Sequence, residues 1–331
     1  MKILVTGASG FIGSFIVEEA LNRGFETWAV VRKTSSKAYL QDERINFIEL
    51  DFNDEARLTE QLRPHQFDYI VHAAGVTKCS DEADFYRINT EGTKHLVNAI
   101  LALKMPVVKF VYMSSLSIYG PIRDSYPHLD ILLSDDPHPN TAYGKSKLMA
   151  ENYLRTVRKE LNYTILRPTG VYGPREKDYF MMVKSIKNHS DFAVGFRHQD
   201  ITFVYVTDVV QAVFLALEQK QSGKKYFLTD GEVYTSRDFI DLICEELGDP
   251  WCLHLTLPVW AMKMVCSIGE WWGKTTGKIT ALNLDKFNIL KQRNWRCDVG
   301  TAMMELGYEP KVKLREGTKL TIDWYKKNGW I

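Results

Sequence analysis

The chain has 331 residues, is 45% hydrophobic and 25% charged, and carries a formal net charge of +1. That length buries a large core in one big domain or two lobes, and the balanced charge excludes nucleic acid as the main partner, since no basic excess can track phosphates. Cys79, Cys244, Cys252, Cys266 and Cys297 form an odd set without CxxC spacing, and the eight histidines show no ligand-like spacing; free thiols in a reducing, cytoplasmic setting and no metal are expected.

In chain order, the first strand-like run is Lys2–Val5, and Thr6-Gly7 ends it after three apolar residues, so no signal peptide is expected. Gly7, Gly10 and Gly13 follow at three-residue intervals and open a helix predicted over Phe11–Arg23. Such a turn cradles a dinucleotide. Gly7 makes the tight turn, Gly10 admits a pyrophosphate to the backbone, Gly13 lets helix and strand pack closely, and the helix N-terminus at Phe11 and Ile12 faces the phosphates. An ordinary strand–turn–helix is the plainer alternative, and the continuing βαβ pattern weighs against it.

Further strand-like runs are Thr27–Val31, Asn46–Leu50, Asp68–Ala73, Val107–Met113 and Tyr163–Arg167, with helices predicted near Glu55–Arg63, Phe85–Leu103 and Tyr143–Leu161. Near-continuous apolar strands with crossover helices mean an α/β fold: a Rossmann-type, doubly wound parallel sheet covered on both faces. Asp51 and Phe52 end the third strand, where a carboxylate can accept the adenine amino group. Ala73, Ala74 and Gly75 end the fourth with small residues that let a nucleotide lie against the backbone.

After Pro168 the pattern loosens. A run at Ile201–Val206 and a helix at Asp208–Glu218 are expected to return to the sheet. The cofactor domain is then 1–168 with 201–224, and 169–200 with 225–331 forms a smaller C-terminal α/β substrate lobe. Leu253–Gly273 is apolar, but Pro258, Lys263 and Glu270 interrupt it, so no membrane span is expected. A helix buried in the core or lining an apolar pocket is expected there, in preference to a membrane-surface helix.

Taken in order, TGxxGxxG, HAAG, SS followed by IYG, YxxxK, RPTGVYGP and FVYVTDVV resemble the extended short-chain dehydrogenase/reductase family over nearly the whole chain. That family includes sugar-nucleotide epimerases, dihydroflavonol reductase-like and 3β-hydroxysteroid dehydrogenase-like enzymes, and the C-terminal run from Leu306 to Trp330 is most similar to the last two. The resemblance implies catalysis by Ser115, Tyr143 and Lys147, with Lys147 also bonding the nicotinamide ribose and Pro168 beside the cofactor. It implies that Asn89 orders the cofactor side, and that Ser117, Thr169, Tyr172, Phe196, Arg197 and Tyr205 surround the substrate. It also implies a homodimer through a four-helix bundle of the helices at Phe85–Leu103 and Tyr143–Leu161.

The residues carry the chemistry independently. Tyr143 and Lys147 are four apart and share one helix face. A free tyrosine titrates near ~10 and is a poor base at neutral pH. A nearby ammonium in a partly desolvated cleft is expected to favour the phenolate, fitting Tyr143 as acid or base on an oxygen whose carbon exchanges hydride.

Where NAD binders carry an acid for the ribose 2′-hydroxyl, this chain has Arg32 and Lys33, with Ser35, Ser36 and Lys37 close by. An arginine suits a 2′-phosphate, so NADP(H) is expected over NAD(H). Leu116-Ser117 replaces the Asp-Glu pair of family dehydratases, and Gly170 replaces the asparagine of family epimerases. The expected activity is an NADP(H)-dependent oxidoreductase acting on a carbonyl or secondary alcohol of a small, largely apolar substrate. The alternatives are an NAD-dependent nucleotide-sugar epimerase and, remotely, a non-catalytic NADP-binding sensor.

Overall fold

A computed structural model describes residues 1–276, 280 and 282–331. The strands β1 (Lys2–Thr6), β2 (Glu26–Val30), β3 (Asn46–Ile48), β4 (Tyr69–His72), β5 (Lys109–Met113) and β6 (Tyr163–Pro168) fall on the six apolar runs. Beyond them lie β7 (Gly170–Tyr172), β8 (Ser190–Val194), β9 (Phe203–Tyr205), β10 (Lys224–Leu228) and β11 (Leu253–Leu257). Seven strands form one parallel sheet in the order β10-β6-β5-β4-β1-β2-β3. The chain changes direction across the sheet between β1 and β4, and the crevice beyond their carboxyl ends is where such sheets bind ligands.

The helices are α1 (Phe11–Asn22), α2 (Glu55–Leu62), α3 (Glu82–Phe85), α4 (Gly92–Ala102), α5 (Ala142–Thr156), α6 (Asp178–Lys187), α7 (Val206–Glu218), α8 (Ser236–Glu246), α9 (Val259–Thr276), α10 (Leu284–Lys291), α11 (Gly300–Leu306) and α12 (Leu314–Lys327). Alternation along the strands feeds two cores. Ile3, Val5, Val71 and Val111 pack with Ile16 and Val17 of α1 and Val213 of α7. Leu4, Ile70 and Phe110 pack with Leu58 of α2, Val97 of α4 and Leu154 of α5 on the other face. Each side chain here is essentially inaccessible, worth about 1.5–3 kcal/mol of burial apiece.

Three expectations need correction. Ile201–Val206 does not return to the main sheet: β9 pairs with β7 in a separate two-stranded ribbon. Phe203 and Tyr205 pack among Tyr172 and Phe239 in an aromatic core outside the sheet. The edge place beside β6 goes to Lys224–Leu228, so the sheet extends past residue 224. The helix predicted over Phe85–Leu103 is broken by a π-helical turn at Tyr86–Glu91, a feature frequent at functional sites.

Leu253–Gly273 is not one helix either. Leu253–Leu257 is a strand paired with β8, and Pro258 precedes the start of α9. Met262 and Cys266 of α9 are buried, and Met262 and Val265 line a large cavity, as the pocket expectation has it. Trp260, Met264, Ile268, Trp271 and Trp272, however, are exposed rather than buried in a core. Among the described residues no helix is long and apolar enough to cross a membrane.

Candidate active site

The crevice at the end of β1 and β4 opens into a cavity of about 1490 Å³. Its first wall is the glycine turn. Gly7 has φ +68, and a Cβ there would sit 2.7 Å from the Ala73 carbonyl. A Cβ on Gly13 would sit 2.1 Å from the Gly7 carbonyl oxygen, so both positions require glycine. No side chain caps α1 at Gly10, and its first turn holds no acid. Phe11 and Ile12 line the cavity at the positive end of the helix dipole, which suits a pyrophosphate.

Arg32, Asp51, Phe52, Ala73, Ala74, Gly75 and Pro168 line the same cavity, together with Lys33 and Ser35. Ser35 Oγ accepts the Arg32 backbone N–H at 3.0 Å, folding the loop so that the Arg32 side chain stays exposed. Asp51 pairs with Arg57 at 3.3 Å. The donor set of this half fits a dinucleotide: backbone N–H groups for phosphates, a carboxylate for an adenine amine and basic side chains at the ribose end.

Ser115, Tyr143 and Lys147 come together deeper in the cavity. Ser115 caps a 3₁₀ turn at Leu116–Ile118, its Oγ accepting the Ser117 N–H at 3.1 Å. Tyr143 sits in the first turn of α5. Thr141 caps that helix by accepting the Gly144 N–H at 3.0 Å, and Asp285 of α10 accepts the N–H groups of Ala142 and Tyr143 at 3.1 and 3.2 Å. Lys147 is buried and donates to the Met113 carbonyl at 2.9 Å.

Burial raises the Tyr143 phenol above its ordinary value, and a hydrogen bond with Ser115 works against that rise. Burial also lowers Lys147 to about 8, with Glu151 opposing the fall. Burial thus favours the protonated form of the Tyr143 phenol.

The fully buried ion pair of Glu151 and Arg167 holds the floor. Glu151 Oε1 accepts from Ser114 Oγ at 2.6 Å and from Arg167 Nε at 3.0 Å, and Arg167 donates to Tyr119 Oη at 2.7 Å. Asn89, in the π-helical turn, accepts the Val76 N–H at 2.8 Å and donates to the Val76 carbonyl and Ser146 Oγ at 3.0 Å. It ties the segment after β4 to α5.

Of the six residues expected around the substrate, only Thr169 lines the cavity. Ser117 turns its hydroxyl to Ser115 at 3.1 Å. Tyr172 and Tyr205 are buried in the aromatic core, with Tyr172 Oη donating to the Lys313 carbonyl at 3.3 Å. Phe196 and Arg197 are exposed and outside the lining. Sequence reasoning also missed what fills their place: an apolar chamber of Met181, Met182, Phe192, Leu257, Met262 and Val265. Asp285 had no local signal, because its partners lie 142 and 143 residues away.

A family model described as the NAD dependent epimerase/dehydratase family matches residues 3–233. The dTDP-glucose 4,6-dehydratase of Streptomyces antibioticus is 28% identical, covering 99% of this chain and 93% of that protein. The decarboxylating sterol-4-alpha-carboxylate 3-dehydrogenase of Dictyostelium discoideum is 24% identical, covering 96% and 98%. Among solved structures, UDP-glucose 4-epimerase of Thermotoga maritima, with UDP-glucose, is 26% identical with a TM-score of 0.78, covering 99% of each chain. The cavity, the cradle and these likenesses agree: the chain belongs to the NAD dependent epimerase/dehydratase family and is an extended short-chain dehydrogenase/reductase.

Proposed function

We propose that the protein is an NADP(H)-dependent oxidoreductase that interconverts a carbonyl and a secondary alcohol on a small, largely apolar molecule. The observation that carries this reading is the continuity of one cavity from the glycine cradle, past Ser115, Tyr143 and Lys147, into a chamber walled mainly by methionine, leucine and valine, with Glu176, Asp178, Asp191 and Lys286 as the charged groups of its lining. A chamber of that lining favours an apolar ligand oriented by a few polar groups.

A nicotinamide dinucleotide held in this cradle would supply or accept the hydride. Gly7, Gly10 and the start of α1 would hold its phosphates, and Arg32 would pair with a 2′-phosphate. Ser115 orients the substrate oxygen, and Tyr143, kept protonated by burial, donates its proton to that oxygen during reduction. Lys147 holds a ribose hydroxyl and carries the positive charge that stabilises the Tyr143 phenolate left behind. In this reading Thr169–Asp200 and the chain beyond the main sheet supply the substrate side, and exposed Met149 on α5 supports a homodimer through α4 and α5. Unpaired thiols support a reducing, cytoplasmic setting.

The named relatives include enzymes of nucleotide sugars, so epimerisation is the competing reading. Gly170 weighs against it. A Cβ there would lie 2.6 Å from Tyr179 Oη and 3.2 Å from the Phe203 ring, so the asparagine of epimerases does not fit without displacing both. NADPH oxidation assayed against a panel of hydrophobic ketones, beside epimerisation of UDP-glucose, separates the two. Turnover of the sugar nucleotide without net NADPH consumption sinks the reductase reading.

A further inference from the structure

The apolar chamber continues to the surface. The register of β8 and β11 pairs Val194 with Leu257, Phe192 with Leu255 and Ser190 with Leu253. Paired and alternate residues share a sheet face. Phe192, Val194 and Leu257 line the cavity, and Phe192, Leu255 and Leu253 are 54%, 40% and 48% exposed. An apolar ramp therefore leads outward from the chamber.

Helix α9 borders the same mouth. Trp260, Met264, Ile268 and Trp271 recur at i, i+4, i+8 and i+11 and form one stripe, each more than half exposed. Met262 and Cys266 anchor the opposite side in the protein. Val265 lies between these sides: it lines the cavity and is itself exposed. A stripe this apolar, continuous with an open cavity, marks an interaction surface.

Charge and composition identify the occupant. Trp260, Trp271 and Trp272 are side chains favoured at a membrane–water interface. Across the mouth, Lys177 and Lys184 flank exposed Met181, itself a cavity residue, at i, i+4 and i+7, and Lys263 is exposed on α9. None of these three lysines is in the ion pairs that lysines make among the described residues. A layer of anionic headgroups complements them while the tryptophans enter the interface. A second copy seated on the stripe would instead cover the mouth.

We propose that this face docks on an anionic phospholipid surface, and that the apolar substrate enters the cavity from the lipid. The docking rests on the exposed stripe and lysines; the identity of what enters rests on the reading under Proposed function.

Co-sedimentation of the full chain with phosphatidylcholine vesicles, with and without phosphatidylglycerol, tests it. Two paired variants, Trp260→Ser with Trp271→Ser and Lys177→Glu with Lys184→Glu, change only exposed positions outside the cavity lining. The wild type should sediment with the phosphatidylglycerol vesicles. Each paired variant should lose about tenfold or more in partition with NADPH titration unchanged, which confirms that fold and cradle persist. Protein left in the supernatant at every composition overturns the proposal. So does a dimer on a sizing column that the tryptophan substitutions dissolve without any vesicle binding, because the stripe then belongs to a second copy. Vesicle binding without reduction of vesicle-borne ketones keeps the docking surface and overturns the substrate reading instead.

Discussion

The carboxylate of Asp285 accepts the backbone N–H of Tyr143 at 3.2 Å, from a helix 142 residues further along the chain. With Ala142 held at 3.1 Å by the other oxygen, the segment that closes the apolar chamber also fixes the first turn of the proposed catalytic helix. Capping contacts of this kind are worth about 0.5–2 kcal/mol. Asp285→Ala is expected to lower kcat about tenfold while KM for NADPH stays within about twofold, since the cradle is untouched. Equal losses in both would show that the contact serves stability alone.

Tyr143→Phe removes the proposed proton donor and little volume. Turnover should fall by about 10²–10⁴-fold, the usual contribution of a positioned acid. NADPH affinity, read by quenching of protein fluorescence, should change little. A variant that keeps most of its turnover would reassign the acid.

Arg32→Asp reverses the charge that the proposed 2′-phosphate meets. Charge-assisted hydrogen bonds contribute about 1.5–3 kcal/mol, so NADPH affinity should drop roughly ten- to a hundredfold while NADH affinity holds or improves. Undiminished preference for NADPH would locate the 2′-phosphate elsewhere.

His72 lies fully inside, between Thr6 Oγ1 at 2.7 Å and Thr93 Oγ1 at 3.0 Å. Burial lowers it from 6.5 to about 3, and the nearby Lys147 charge adds to the effect. The unfolded chain takes up this proton below 6.5 and the folded chain only near 3, so the group's contribution to stability is whole above 6.5 and lost as pH falls through that window. Urea unfolding should show falling stability from pH 7 to pH 4, each unit of the shift counting for about 1.4 kcal/mol. His72→Asn should flatten that acid dependence.

The cofactor half was legible because its physics is local. Gly7, Gly10 and Gly13 are read from a single turn, and every residue expected at the cofactor lines the cavity. The proposed substrate half was not, because its walls come from β8, β11, α6 and α9, brought together only by tertiary packing. Tyr172 and Tyr205 belong to the core that supports the site, and their spacing is the same whether they face a ligand or each other. Lys224–Leu228 escaped notice because two lysines open it, an arrangement that suits an edge strand. The rise in Tyr143 and the fall in Lys147 follow from burial, which no motif records.

The proposed enzyme is an NADP(H)-exchanging reductase rather than one that keeps NAD through each turnover. The most direct test is to purify the protein without added cofactor, denature it, and identify any released nucleotide by mass spectrometry, with NADPH and NADH titrated against the native sample. Such a reductase should be empty or NADP-loaded, exchange NADPH freely and bind it about tenfold or more tighter than NADH. Stoichiometric NAD⁺ that survives purification would contradict it and favour the nucleotide-sugar epimerase.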